Sequence, residues 1–415
     1  MQKILALLSA FILTACSITT VNPIPITPTA NPTSTVIFNV TPTGNHYYVD
    51  ENLGSDENPG SEAQPWQTIE KAVNTVVTGD TIYVRGGMYS TILGGWSFQN
   101  SGTQSQPITL TNYPGEQVIF KDNQVMNNNY PAFRCEVDSN DPTSWQTSNV
   151  QYIRILGTDV MPKTLSDGVV SQKGIVIQGE QAEQSAGIDI NGGCSHWEVA
   201  KVDFVEVSYG IFSDRGSSDP DYWYVHDNRV YNYYRESGMQ FNGNDNMITN
   251  NEIYKASSEL DTPYGCQMLN LLGHGNEVSG NKISRLGSTA LCIGILFEWD
   301  LSDKNIIEQN KIYDVPKGIE FEGGNNNIIR NNIITATAGT ETAAIAINSY
   351  DNQTSWPCND TFNPASEDLP YLSNPRNCHS QNNQIYNNTI IGFPQVISMD
   401  PVADTTNIIY NNTIH

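Results

Sequence analysis

The triplet Asn-x-Ile/Val recurs at Asn228, Asn251, Asn281, Asn310, Asn332, Asn388 and Asn412. It travels with short runs in which apolar and other residues alternate: GIDIN from Gly187, GIFSD from Gly210, GMQFN from Gly238, LNLL from Leu269, GILFE from Gly294, GIEFE from Gly318, AIAIN from Ala344 and VISMD from Val396. Successive runs start roughly 23–30 residues apart, and no helical pattern lies between them, which is the signature of a β-solenoid. One coil of this size cannot bury its own apolar row. Coils stacked about 4.8 Å apart bury a continuous column, with like residues above like. Asparagine at a fixed bend suits such a stack, because it tolerates the left-handed conformation and its amide can bond the next coil.

The stretch before the repeat fits the same plan. Residues HYYVDENLGSDENPG, from His46, read as a strand and an acidic turn, and Ile69, Ala72, Val73 and Val76 then fall at helical spacing. A helix there would cap the first coil and shield its open edge. Together with SGTQSQPITLTNYPGE (Ser101–Glu116), this segment resembles the opening of right-handed parallel β-helix proteins of the pectate-lyase-like superfamily, which includes relatives of alginate lyase and chondroitinase B. The resemblance covers residues 46–120 in motif detail and 187–415 as coil pattern. It implies an all-β chain: a right-handed parallel β-helix over residues 46–415 with an N-terminal capping helix and a loop insertion at about 350–380. Activity stays open, since the fold carries lyases, hydrolases, epimerases and proteins with no catalysis.

Lys3, the apolar run Ile4–Leu13 and the closing Leu13-Thr14-Ala15-Cys16 form a short export signal. The ending resembles the lipobox of bacterial lipoproteins, which implies removal of residues 1–15 and a lipid on Cys16. Residues 16–45 are rich in Thr and Pro and nearly uncharged, as an extended stalk would be. The expected location is therefore outside the cytoplasm, held to the bacterial envelope through Cys16, with the protein a monomer. A net charge of −24, from 44 acidic and 20 basic residues, disfavours a nucleic-acid partner.

The other six cysteines lack zinc-site spacing and suit an oxidising compartment. Cys266 and Cys292 hold equivalent places in successive coils, which allows a disulfide or a ladder of free thiols. Cys358 and Cys378 bracket the insertion, leaving Cys135 and Cys194 as a third pair. No cap follows the last triplet before His415, so the natural chain is expected to run on.

Alternation predicts two outward columns on the repeated strand. One reads Asp189, Phe212, Gln240, Asn270, Leu296, Glu320, Ala346, Ser398; the other reads Asn191, Asp214, Asn242, Leu272, Glu298, Glu322, Asn348, Asp400. Carboxylates gather at Glu298, Glu320 and Glu322, with Asp300 just beyond. One strand spacing, roughly 4.8 Å, separates Glu298 from Glu322, and Glu320 lies about 6.6 Å along the strand. Such a group suits Ca²⁺, which takes about six to eight oxygens. Glu320-x-Glu322 also resembles the calcium-binding pair of lyases with this fold, and the resemblance implies cleavage of a uronate-containing polysaccharide. The lysine that such lyases carry shortly after the pair is missing, and Arg330 is the nearest cation. The catalytic candidates are thus Glu298, Glu322 and Arg330. The same carboxylates would also serve a glycoside hydrolase, whose pairs stand about 5–5.5 or 6.5–9.5 Å apart, or form only a solvated face.

Aromatic residues crowd the coil Asp219–Gly238. Tyr222, Trp223 and Tyr224 are candidates for stacking on sugar rings, in an enzyme or in a non-catalytic glycan binder. Arg235, Asn242 and Asn348 complete the candidate substrate contacts, with His226 and Arg229 beside the aromatic patch. Lys201, Lys255, Lys282 and Arg285 fall near the Asn turns, off this groove.

Overall fold

A computed structural model of the chain describes residue 40 and residues 43–91, 95–121, 131–135, 149–165, 168–179, 186–190, 193–213, 221–256, 265–298, 302–336, 343–348, 380–399 and 406–415. The export signal, Cys16, Asn191, Asp214, Asp300, the Cys358 and Cys378 pair, and Asp400 lie outside the described residues.

Each coil visits three parallel sheets in turn. The first has 12 strands, from His46–Val49 to Ile408–Tyr410, and the second has 11, from Gly87–Ser90 to Thr413–Ile414. The third has 9, from Phe133–Cys135 to Ile397–Met399, and contains the alternating runs. Met247–Thr249, Glu252–Tyr254 and Cys266–Leu271 make one complete coil. The inward side chains stack without slippage: Ile248 over Val278, Ile253 over Ile283, Leu269 over Ile295. All six are fully buried, and each contributes about 2 kcal/mol of apolar burial.

The expected capping helix is Ile69–Thr75. Thr68 caps it by accepting from the Lys71 amide at 3.1 Å, and Ile69, Ala72 and Val73 are buried. Asp50 in the acidic loop accepts from the amides of Asn52 and Leu53, both at 3.0 Å, and so closes a turn.

In the coils that carry the triplet only two residues join the first sheet to the second, and they divide the work the sequence assigned to one asparagine. The left-handed position belongs to the residue before the motif, as at Asp227, Asn250, Gln309, Asn331 and Asn387. The motif asparagine turns inward and builds a buried ladder. The Nδ2 of Asn228, Asn251, Asn281, Asn310, Asn332 and Asn388 each donates to the next Oδ1 at 2.9–3.1 Å, ending on Asn412. A second ladder, Asn246–Asn276–Asn305–Asn327–Asn383–Asn407, lines the turn before the first sheet and accepts backbone amides at 2.8–2.9 Å.

The corner into the third sheet is too tight for a side chain. A Cβ on Gly294 would stand 2.5 Å from the Gly318 carbonyl oxygen, and one on Gly318 would stand 2.4 Å from Ile334 Cγ2. The glycine that opens GILFE and GIEFE is therefore a packing requirement.

Two disulfides join coils, matching two of the expected pairs. Cys266–Cys292 links residues in register on adjacent strands, with Cα atoms 4.3 Å apart. Cys135–Cys194 spans 6.2 Å between Cα atoms. Alternation along the repeat gives no hint of one further element. The antiparallel hairpin Asp159–Thr164 with Val170–Lys173 lies against the outer side of the second sheet, where Leu165, Val176 and Val205 form a small separate cluster.

Candidate active site on the third sheet

The pairings reproduce the first predicted column one strand at a time: Asp189 to Phe212, Gln240, Asn270, Leu296, Glu320, Ala346 and Ser398. Glu322 faces Asn348 in the second. The exposure of this face differs from the expectation. Gln240, Asn270, Leu296, Glu320 and Ala346 point away from the core, yet each is at most 5% exposed. Stacked side chains shield one another from above, below and beside, so pointing outward is not the same as meeting water. Glu298 and Glu322, at the ends of their strands, are half-buried and form the accessible rim.

The buried polar groups are hydrogen-bonded along the column. Glu320 Oε1 accepts from Lys317 Nζ at 2.6 Å and from Asn348 Nδ2 at 2.7 Å. Asn270 Nδ2 donates to Glu298 Oε2 at 2.7 Å and more weakly to Gln240 Oε1 at 3.5 Å. Gln240 Nε2 in turn reaches the Ser213 carbonyl at 3.3 Å. Asn270 Oδ1 is buried and has no hydrogen-bond partner. A buried, unsatisfied carbonyl oxygen beside a carboxylate is the kind of hard donor that Ca²⁺ takes. Glu320 is already neutralised by Lys317, so the donor set that fits a cation is Glu298, Asn270 and Glu322. Among the described residues no three His, Cys, Asp or Glu side chains converge as a metal cluster.

A lysine does stand at this column, with Lys317 Nζ 2.6 Å from Glu320 Oε1. Strict alternation would bury it with Ile319 and Phe321. Because Gly318 and Ile319 both face the core at the tight corner, the strand skips a beat and Lys317 turns outward onto Glu320. A glycine directly after the lysine was the signal available for it.

Several other predicted residues lie elsewhere. Arg330 is on the first sheet, where it donates to Glu308 at 2.5 Å and to the Tyr386 hydroxyl at 3.2 Å, so it cannot serve the third-sheet carboxylates. Trp223 is 1% exposed, stacked on Trp197 at 5.2 Å, with its indole N–H on the Cys194 carbonyl. A ring buried on both faces cannot stack on a sugar. Tyr222 stacks on His196 at 4.9 Å at the turn before the first sheet, and Tyr224 stacks on His226 at 4.0 Å on the first sheet itself. Tyr233 and Tyr234 are interior as well, flanking the buried ammonium of Lys255 at 5.4 and 5.1 Å. Asn242 is buried next to the third sheet, and the Arg235 amide bonds the Ser208 carbonyl at 3.1 Å.

Two sequence models describe this architecture. One, for the Pel9A-like right-handed β-helix region, matches residues 47–203, and one for the right-handed β-helix region matches residues 186–362. The chain is a right-handed parallel β-helix of the pectate-lyase-like kind. This β-helix is 30% identical over 141 residues to the uncharacterized protein YwoF of Bacillus subtilis (strain 168), covering 34% of the chain and 27% of that protein. It is 43% identical over 67 residues to pectate lyase PEL9 of Emericella nidulans, covering 16% of each. The matches thus span only about a quarter or less of those relatives. Among solved structures, a rhamnogalacturonan lyase aligns over 89% of this chain and 87% of its own, with TM-score 0.57 and 14% identity. The lacto-N-biosidase of Eubacterium ramulus aligns over 90% and 68%, with TM-score 0.52 and 12% identity. At such identities these two likenesses concern the fold. Among the described residues no helix is long and apolar enough to cross a membrane.

Proposed function

We propose that this β-helix binds a uronate-containing polysaccharide across the outer face of its third sheet and cleaves it by β-elimination. The observation that carries the reading is the meeting of Lys317, Glu320 and Asn348 beside the half-buried rim carboxylates Glu298 and Glu322. The sequence relative named as a pectate lyase supports the substrate class.

In this reading Glu322 takes the proton from C5 of the uronate. The C5–H electrons form the C4=C5 double bond as the C4–O bond breaks, and the departing oxygen collects a proton from water. Lys317, fixed by Glu320, faces the uronate carboxylate and offsets the charge that builds there during proton loss. Glu298 and Asn270 Oδ1 would hold Ca²⁺, which when bound supplies further neutralisation of that carboxylate and leaves Glu322 for the proton. The same proposal places the protein outside the cytoplasm, tethered at Cys16 through the Thr/Pro-rich stalk. Its two inter-coil disulfides suit that compartment.

The test is ultraviolet absorbance of unsaturated products over a panel of uronate polymers, with calcium and then with chelator. A calcium-dependent rise is expected, and Glu322→Gln should lower it about a hundredfold or more while the polymer is still retained. New reducing ends without absorbance would mean hydrolysis by the same carboxylates. Retention with no product of either kind would make the protein a non-catalytic binder.

A further inference from the structure

The chain enters the solenoid by passing along its side. Before His46 opens the first strand, the residues ahead of it meet three later coils in reverse order. The Val40 carbonyl accepts from Arg154 Nη1 at 3.3 Å, and the Thr43 amide and hydroxyl both donate to Gln106 Oε1, at 2.9 and 3.0 Å. The Gly44 amide then reaches the Gly79 carbonyl at 3.0 Å, and the Asn45 amide reaches Asp80 at 2.8 Å. Arg154, Gln106 and Gly79 belong to the fourth, third and second strands of the first sheet or to the turns that lead into them. The fit is close: a Cβ on Gly44 would stand 2.4 Å from the Gly79 carbonyl oxygen. Arg154 is itself fixed by Glu198 at 2.6 Å. Val40 and residues 43–45 are thus a strap that lies along the solenoid axis.

Beyond Val40 on that path, the turn before the first sheet changes character. Tyr152, His196 and Tyr222 hold equivalent places there, each two residues before one of the register partners Arg154, Glu198 and Tyr224. Their rings form one row, Tyr152 on His196 at 4.5 Å and His196 on Tyr222 at 4.9 Å, and all three are half-buried. Each has φ between 57° and 62°, the left-handed region that bulky side chains rarely take. In the following coils Asp245, Gly275, Lys304, Asn326 and Asn382 hold the same place, mostly residue types that suit such a backbone. The aromatic row therefore carries a backbone cost, and it ends at Tyr222. Burial holds the His196 imidazole below the usual histidine value, against the pull of Asp221, so the row is uncharged at neutral pH.

The residues that precede Val40 match this row in chemistry and in length. Between Pro32 and Pro42 the stalk reads TSTVIFNVT, its longest run without proline, and Phe38 is its one aromatic residue. β-Branched and aromatic residues favour an extended backbone. At about 3.4 Å per residue, Phe38 lies roughly 7 Å and Val36 roughly 14 Å before Val40. From Tyr152, one strand spacing of about 4.8 Å leads to His196 and a second leads to Tyr222. Alternation puts Val36, Phe38 and Val40 on one side. We infer that residues 36–39 continue the strap and seat Phe38 and Val36 on the rings of His196 and Tyr222, so that this edge of the first sheet is the docking surface for the chain's own stalk. The stalk then leaves the solenoid beside Tyr224–His226, the sixth of the 12 strands, and not at the first strand, His46–Val49. Tethered as proposed above, the solenoid would lie side-on to the membrane instead of standing on its end. The docking itself needs neither the tether nor the third-sheet carboxylates.

The experiment is amide hydrogen exchange of the full chain, read by mass spectrometry, with a free peptide of residues 30–41 as reference. Residues 34–39 should exchange about tenfold or more slowly in the chain than in the peptide. The variant Val36→Ser/Phe38→Ser should abolish that protection, and so should His196→Asn/Tyr222→Asn on the other side of the contact. The second variant installs the residue type that Asn326 and Asn382 supply at the same place. Unchanged exchange in residues 277–334 will show that the coils are intact. If residues 34–39 exchange in the unaltered chain as they do in the peptide, nothing is docked and the inference falls. If the stalk variant loses protection while the His196 and Tyr222 variant keeps it, the segment rests elsewhere and the surface named here is wrong. None of these residues is on the third sheet, so polymer cleavage should be the same in every variant, and failure of the polysaccharide reading leaves the docking standing.

Discussion

His226 shows how much one side chain's meaning depends on its neighbours. Its Nε2 meets Glu198 at 3.1 Å and its Nδ1 meets Asp227 at 2.8 Å, with Tyr224 stacked on the ring and Arg154 on the far oxygen of Glu198 at 2.6 Å. Burial opposes charging of the imidazole, but the two carboxylates outweigh it and raise the pKa above the usual histidine value. A raised folded pKa means that the stabilisation is fully present below the unfolded pKa of about 6.5 and is lost as pH rises through the folded value. His226→Gln should therefore cost about 1–2 kcal/mol in denaturant unfolding near pH ~5.5 and clearly less near pH ~9. An equal loss at both would mean that the ring acts by packing alone. Lys317 makes a related point. Its role follows from one glycine that interrupts the alternation, and counting residues from Glu320 in the forward direction overlooks it.

At the scale of the element, the ladders make the turns part of the core. Asn281 donates to the Ile248 carbonyl at 2.8 Å and to Asn310 at 3.0 Å, while its Oδ1 accepts from the amide and the side chain of Asn251 at 2.8 and 3.1 Å. Truncation would strand several buried groups at once, each costing about 1–3 kcal/mol. Asn281→Ala is thus expected to destabilise by about 2–4 kcal/mol in urea unfolding. Asn281→Asp should do worse, because a carboxylate would then face two acceptors in a dry corner. A loss below about 0.5 kcal/mol for both, within the ordinary range for surface changes, would show that water replaces the ladder. Ladder and strand register were both legible in the sequence, since each coil repeats them. The division of labour between the left-handed residue and the buried asparagine was not, because adjacent polar residues in NN or DN look alike until one is seen to turn inward.

Across the whole molecule, stability is a sum of coils and the contacts between neighbours. Interior coils pack on two sides. The last described coil packs on one, and Ile408, Ile409, Tyr410 and Ile414 are 38–59% exposed. Amide hydrogen exchange of this chain should accordingly be slowest near the strands of residues 277–334 and fastest at 408–414. Uniform protection along the axis would indicate a single cooperative unit instead. The three sheets also separate these groups in space. The third carries Glu320 and Lys317, the second the column of Tyr231, Tyr254 and Tyr313, and the first the His226 trio and Arg330.

The sequence by itself determined the coil period, the strand that bears Glu320 and Glu322, and the register of their column. All of these are local patterns that stacking merely copies from coil to coil. Only the tertiary structure decided that the outward column is closed to water, that Trp223 belongs to the core, that Arg330 faces a different sheet from Glu320, and that Lys317 joins it. Those outcomes depend on how sharply the chain bends at each corner and on what lies above and below a side chain. Such facts are set by packing in three dimensions, and no spacing along one strand records them.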